Sequence, residues 1–215
     1  MFCLCIYKLE INNIQIFEND LPSNIDLSNE KVLGLDSEAL GLTLGRDPLT
    51  LIQIGLQSKQ FYLVKLNRET YSAPNLVKVL SNPTIQFVMH YARQDLLWLK
   101  YHLKVEPKNI FCTKVASKIA RTASNMHGYK DLVKELCGKD ISKKEQTSDW
   151  GNPNLTEKQI RYAQQDTEYL FEIKDKLTKI LTREKRIDLF EKCMKVIPTL
   201  VNMEMSGYKL STFEH

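Results

Sequence analysis

Apolar residues along this 215-residue chain follow two different spacings. In the first third of the chain they form short runs separated by turn residues, a pattern typical of β-strands. Beyond residue 73 they recur at the spacing of three and four residues that lines one face of an α-helix, interrupted by two further compact runs. The predicted strands are 14–17, 31–38, 49–56, 60–66, 85–89 and 110–112. The predicted helices begin near 73 and cover 92–103, 113–121, 129–136, 156–183 and 187–205, the last with a bend at Pro198.

The order of these elements predicts an α/β fold. Strands 31–38, 49–56 and 60–66 are joined by short turns, which favours an antiparallel meander. The later strands alternate with helices, so we expect a mixed sheet of five or six strands flanked by helices. Residues 1–186 should form one domain and 187–215 a helical tail, too short for a second domain. The apolar residues of the tail fit packing on that domain or a dimer contact, so a monomer and a weak homodimer both remain open.

Composition narrows the class of protein. With 43% hydrophobic residues the chain can bury a core, while its net charge of +4 permits a polyanionic partner without demonstrating one. The apolar segment from Met1 to Tyr7 is about half the length of a signal-peptide core, and no run approaches the ~20 apolar residues of a membrane span. Five scattered cysteines show neither disulfide nor zinc spacing. We therefore expect a cytoplasmic protein without membrane attachment.

Four acidic residues stand out because apolar sequence surrounds them. Asp36 and Glu38 lie two apart in one predicted strand, so their side chains share a face of the sheet. Asp95 follows a second apolar run, and Asp166 lies on the core-facing stripe of a predicted helix. Burying carboxylates is costly unless a positive charge compensates them, and oxygen ligands suit Mg²⁺ or Mn²⁺. The four acids therefore predict a site for two such ions, ~3.5–4 Å apart, of the kind that hydrolyses phosphodiesters.

Each of these residues also has a structural interpretation. An isolated Asp-x-Glu pair is common, and Asp95 fits the first turn of a helix, where the helix dipole favours an acid. Asp166 could pair with Arg161 or Lys130. Tyr162, four residues before Asp166 on the same helix face, fits an ordinary core position. The order of the four acids, on the expected kinds of element, is what favours the metal site.

The sequence around these acids resembles the DEDD superfamily of 3′→5′ exonucleases, and within it bacterial ribonuclease D. The main motifs are Leu35-Asp36-Ser37-Glu38, His90-Tyr91-Ala92-Arg93-Gln94-Asp95-Leu96 and Tyr162-Ala163-Gln164-Gln165-Asp166. Three others are His127-Gly128-Tyr129-Lys130-Asp131-Leu132, Ser148-Asp149-Trp150 and Leu155-Thr156-Glu157-Lys158-Gln159. The resemblance covers about residues 14–182. Tyr162 is similar to the tyrosine subgroup, since the histidine subgroup has His where this chain has Arg161; Ser37 departs from the family's usual Thr.

The resemblance implies a ribonuclease H-like fold, a catalytic domain in residues 1–186 and a role for each of five catalytic residues. Asp36, Glu38 and Asp166 would hold the first metal ion, where the attacking water is activated. Asp36 would also bridge to the second ion, which stabilises the leaving 3′ oxygen, and Asp95 would act there through water. Tyr162 would orient the nucleophile, because a phenol with an ordinary pKa near 10 is a poor base.

Three further residues are candidates for substrate contact. His90 could approach the scissile phosphate, Lys143 the RNA backbone, and Trp150 could stack on a base. The alternatives are a hydrogen-bonded histidine at a strand end, a solvated charge and a buried anchor of the loop.

These observations predict a metal-dependent 3′→5′ exoribonuclease that releases nucleoside 5′-monophosphates. Its expected substrate is RNA with a 3′ overhang, and tRNA precursors are what the resemblance implies. An exonuclease acting on DNA is the alternative within the enzyme class, because repair nucleases use the same acids. No residue of the sequence can be assigned to recognition of a ribose 2′-OH, the group that distinguishes RNA from DNA. A catalytically silent nucleic-acid-binding module is the alternative outside the enzyme class, and the complete set of acids disfavours that.

Overall fold

The computed structural model describes residues 13–213 and contains a six-stranded mixed sheet in the order β1-β4-β3-β2-β5-β6. Its strands are β1 (Ile14–Glu18), β2 (Val32–Ala39), β3 (Leu49–Gly55), β4 (Phe61–Lys65), β5 (Gln86–Met89) and β6 (Ile110–Cys112). The helices are α1 (Pro74–Leu80), α2 (Ala92–Trp98), α3 (Thr113–Ala120), α4 (Tyr129–Leu132), α5 (Glu157–Glu168), α6 (Leu170–Arg183) and α7 (Ile187–Met205). Shorter helical turns cover Leu99–Leu103, Val133–Cys137 and Leu210–Phe213. The apolar N-terminal segment, with Cys3 and Cys5, lies outside the described residues.

The predicted α/β fold with a mixed sheet is confirmed. Strands β2, β3 and β4 form the expected antiparallel meander, and β1 returns to pair parallel with β4. On the other side of β2, strands β5 and β6 are parallel to it and to each other. Along the chain α1 lies between β2 and β5, and α2 lies between β5 and β6, whereas the parallel strands β1 and β4 are connected through β2 and β3.

The centre of the sheet creates an open edge beside β2. Strand β5 pairs with β2 only from Val32 to Gly34, so the rest of β2 continues beyond the end of β5 while still paired with β3. After Met89 the chain turns through Tyr91, whose φ of 65° is left-handed, and enters α2. The second half of β2 therefore lies at the carboxyl end of neighbouring parallel strands, the usual place for a ligand site in an α/β sheet.

The helix predicted over 156–183 is two helices, α5 and α6, which meet at Tyr169. The hydroxyl of Tyr129 donates to the carbonyl of Gln165 at 2.7 Å and accepts from the backbone N–H of Tyr169 at 3.3 Å. These two backbone groups are four residues apart and would otherwise bond to each other. A side chain inserted into this ladder interrupts a helix. The prediction was wrong about continuity because the interrupting group comes from a distant segment.

Helix α7 runs without interruption through Pro198 and packs on the main core. Phe190, Met194, Ile197 and Val201 are buried there, and the Phe190 ring lies 4.7 Å from that of Phe111, centroid to centroid. The inward face of the tail thus contacts the same domain. Within residues 13–213 no helix combines the length and the apolar character needed to cross a bilayer.

Candidate active site

Three carboxylates from two elements meet at the open edge of the sheet. Asp36 and Glu38 project from β2 and Asp166 from α5, and one oxygen from each lies within 4.8 Å of the others. The approach of α5 depends on two facing glycines in β2 and β3. A Cβ on Gly34 would lie 3.2 Å from the Thr167 carbonyl oxygen, and one on Gly55 would lie 2.9 Å from the Thr167 side chain. Bulkier residues would push Asp166 away from the strand.

Asp95 lines the same cavity from the side of α2 but stands outside this group of three. It is 5% exposed, and its Oδ1 accepts a hydrogen bond of 2.6 Å from the Ser37 hydroxyl. Ser37 lies between Asp36 and Glu38 on β2, so its side chain leaves the opposite face of the strand. The residue at which the chain departs from the usual Thr therefore still provides a hydroxyl that anchors the fourth acid.

Burial raises the pKa of all four acids, and the charges of neighbouring acids add to the rise for Asp36, Glu38 and Asp166. Burial, followed by the charge of Asp166, raises the pKa of Glu38 to about 9. Burial raises the pKa of Asp95 and of Asp166 to about 7 in each case. The pKa of Asp36 is well above its usual value because of burial and the neighbouring Asp95 and Asp166. A desolvated group of oxygen donors whose charges repel one another fits a divalent cation of the Mg²⁺ or Mn²⁺ type.

Tyr162 is joined to this group through Asp166. Its hydroxyl stabilises the ionised Asp166 carboxylate, which opposes part of the rise in the pKa of that acid. Burial and the three nearest carboxylates raise the pKa of the Tyr162 phenol well above its usual value. The phenol therefore keeps its proton at neutral pH, which suits a positioning group rather than a base.

Trp150 stands behind Tyr162 and away from the cavity. It is 3% exposed and its ring lies 5.9 Å from the Tyr162 ring, centroid to centroid. This placement agrees with the alternative of a buried loop anchor and not with base stacking. Trp150 packs beside the Tyr162 ring and helps to fix its position.

The acids open into a cavity of about 750 Å³ with positive side chains around it. Lys143, predicted to contact substrate, lines this cavity, and its charge lowers the pKa of Asp166. Lys114 and Lys130 also line it, which the sequence did not single out as substrate contacts. Lys130 belongs to a quoted motif, whereas no local signal marks Lys114.

His90 lies in the cavity wall as an uncharged side chain. Burial, with the charges of Lys114 and Lys143, lowers its pKa to about 3. Its Nδ1 is 2.9 Å from the hydroxyl of Thr113, and that hydroxyl donates to the carbonyl of Met89. The proton of the imidazole is thus on Nδ1, which donates to Thr113. His90 can meet a substrate by hydrogen bonding but not as a cation.

A family model described as 3′-5′ exonuclease matches residues 19–182 of the chain. The chain belongs to the 3′–5′ exonuclease family. Ribonuclease D of Xanthomonas oryzae is 31% identical over 169 residues, which are 79% of this chain and 46% of that protein. The chain thus spans less than half the length of this relative.

Solved structures of the family show the same fold. Brucella melitensis NrnC matches with a TM-score of 0.90 and 35% identity over 94% of this chain and 98% of that one. NrnC has also been solved bound to pGG and with bound Mg²⁺. Escherichia coli RNase D, at 22% identity and a TM-score of 0.69, shares the fold. The predicted resemblance to ribonuclease D and the predicted membership of the 3′–5′ exonucleases are confirmed, while the substrate and the roles of single residues remain predictions.

Proposed function

We propose that this exonuclease shortens single-stranded RNA from its 3′ end and accepts very short oligonucleotides. The observation that carries the proposal is the group of three carboxylates within 4.8 Å in a cavity of about 750 Å³. A cavity of this size is in the range that encloses a small ligand. It suits the last nucleotides of a flexible strand better than a double helix.

Asp36, Glu38 and Asp166 would hold one divalent ion, and Asp36 with Asp95 a second. Bound ions of this kind supply an activated water and stabilise charge on the attacking and leaving oxygens. The ligand set fits either Mg²⁺ or Mn²⁺ by donor chemistry.

The other residues of the site position the substrate. Tyr162 keeps its proton and offers a hydrogen bond near the attacked phosphorus. Lys114, Lys130 and Lys143 place positive charge where a phosphate backbone enters the cavity. Water adds to the phosphorus of the last phosphodiester and the 3′ oxygen of the preceding nucleotide leaves. The products are a nucleoside 5′-monophosphate and a chain one nucleotide shorter with a 3′ hydroxyl.

Two comparisons support RNA as the substrate and differ about its length. The match to NrnC extends over nearly all of both chains, and that protein has been solved with pGG, which in standard notation is a dinucleotide. This favours short oligoribonucleotides. The relation to ribonuclease D favours the 3′ ends of tRNA precursors as the second candidate. We place the reaction in the cytoplasm, since Cys112, Cys137 and Cys193 within the described part of the chain are free thiols.

The test compares four 5′-labelled substrates: pGG, a seven-nucleotide RNA, the matched DNA and a 3′-extended tRNA precursor. Each is incubated with Mg²⁺, with Mn²⁺ and with chelator, and with Asp36→Asn protein as the control for contaminating nuclease. We expect metal-dependent cleavage of pGG and of the short RNA, faster than trimming of the tRNA precursor.

Faster trimming of the tRNA precursor would replace the short substrates by the second candidate. Equal or faster loss of the DNA would overturn the preference for RNA. Retained binding without cleavage of any substrate would overturn the proposal of a nuclease reaction for this chain.

A further inference from the structure

Gln53 is a buried glutamine in the middle of β3 that has no hydrogen-bond partner among the described residues. Its side chain is 0% exposed, and both the Nε2 and the Oε1 atoms lack a partner. Within residues 13–213, three other residues have one such buried atom each: Gln94, His102 and Trp150. Of these four residues, only Gln53 leaves both ends of an amide unpaired. A buried amide with no partner lowers stability, so its presence calls for a reason.

The register of the sheet places Gln53 beside the candidate metal ligands. Gln53 stands directly opposite Asp36 in the antiparallel β2–β3 pair. Side chains of opposite residues share one face of the sheet, with Cβ atoms roughly 4.5–5.5 Å apart. A glutamine side chain is long enough to bring its amide to a carboxylate at this separation.

The neighbours of Gln53 on β3 show that this face lies under α5. Leu51, two residues before, packs in one cluster with Tyr162 and Ala163 of α5. Gly55, two residues after, lies against Thr167 of the same helix. The Gln53 amide is therefore enclosed between Asp36 on the neighbouring strand and the helix that carries Asp166.

We propose that Gln53 is a positioning residue for the metal ligands. When a divalent ion binds and Asp36 is ionised, the Gln53 Nε2 donates a hydrogen bond to the Asp36 oxygen that does not face the ion. Outer hydrogen bonds of this kind orient metal-binding carboxylates and raise metal affinity. The inference rests on the proposed function, because it assigns Gln53 to the same metal site.

The test replaces Gln53 by methionine, which has similar length and no hydrogen-bonding amide. Binding of Mn²⁺ is measured by calorimetry without substrate, and thermal unfolding is measured in chelator. Gln86→Met is the matched control, because Gln86 is a half-buried glutamine of β5 whose amide donates to Asn109 instead. We expect Gln53→Met to bind Mn²⁺ roughly 10- to 100-fold more weakly. Its unfolding midpoint in chelator should equal or exceed that of the wild type, and the control should keep its metal affinity.

Unchanged Mn²⁺ affinity in Gln53→Met, with normal binding by the wild type, would overturn the inference and leave the proposed function intact. A lower unfolding midpoint with unchanged affinity would also overturn it, since the amide would then be purely structural. Failure of the wild type to bind Mn²⁺ would overturn both. Gln53→Leu, which also removes the amide, provides the same measurements if the methionine variant does not fold.

Discussion

The two halves of β2 lie in opposite environments. Leu33 and Leu35 are almost completely buried in the main core, next to the strand pair formed with β5. One residue further on, Asp36 and Glu38 share a cavity with two other carboxylates. The first half stabilises the fold by burying apolar surface, whereas the second half holds acidic groups whose charges repel one another. One strand thus combines an element that stabilises the fold with a site that needs a ligand to become stable.

The largest expected effect is the loss of activity when a candidate metal ligand is replaced. Asp36→Asn or Asp166→Asn should reduce hydrolysis by roughly a thousandfold or more, because each removes a ligand whose ion supplies several kcal/mol of transition-state stabilisation. The fold should survive, since the change removes one of several repelling charges. Single-turnover cleavage of the short RNA and thermal unfolding measure the two properties. Near-normal activity in either variant would show that the ligands are assigned wrongly.

Leu33→Ala tests the first half of β2, where the expected effect is a loss of stability. Leu33 is 0% exposed, and removing a buried leucine side chain should lower the free energy of unfolding by about 2–5 kcal/mol. Denaturant unfolding with an unchanged m-value measures this loss. Below the unfolding transition the variant should keep its activity per folded molecule. A large loss of activity without a loss of stability would contradict this separation between the two halves.

The acids should also make the stability of the metal-free protein depend on pH. The folded-state pKa is about 9 for Glu38 and about 7 for Asp95 and Asp166, each above its ordinary value. Between pH 4 and 9 the folded state therefore binds more protons than the unfolded state, and the stability from these acids is lost as the pH rises. Asp166→Asn should remove part of this dependence, so its unfolding midpoint should gain on that of the wild type from pH 5 to pH 8.

Unfolding scans in chelator at several pH values measure this difference. If the variant midpoint minus the wild-type midpoint stayed constant or fell with rising pH, the acids would not be held with raised pKa values. Addition of Mg²⁺ to the wild type should reverse the trend, because metal binding needs deprotonated ligands.

The grouping of Asp36, Glu38 and Asp166 could be predicted from the sequence because acids at inward-facing positions interrupt apolar patterns in a visible way. The alternation around Asp36 and Glu38 predicted their shared face, and the core-facing stripe around Asp166 predicted that this acid turns inward. The turns between the strands predicted the meander. Each of these signals lies within about ten residues of the chain, the range over which periodicity can be read.

The features that the sequence did not reveal depend on contacts between distant segments. Tyr129 interrupts the helix at Tyr169, forty residues further along the chain. Lys114 reaches the cavity only because α3 begins beside the end of β5. In the sequence Gln53 is an ordinary polar residue within an apolar run. Only the register of the β2–β3 pair shows that it lies opposite Asp36. Such pairings are set by packing and not by local pattern.

The smallest expected effect concerns Tyr162 on α5, which packs in an apolar cluster and also lines the cavity of the acids. Tyr162→Phe keeps the ring that packs near Trp150 and removes only the hydroxyl, which stabilises the ionised Asp166 carboxylate. Hydrogen bonds to charged groups are worth about 1.5–3 kcal/mol, so kcat should fall roughly 10- to 100-fold. Because the pKa of the phenol is far above neutral, the rise of kcat with pH between 6 and 9 should be the same in both proteins. A pH–rate profile that loses its rising limb in the variant would make Tyr162 the base of the reaction and not a positioning group.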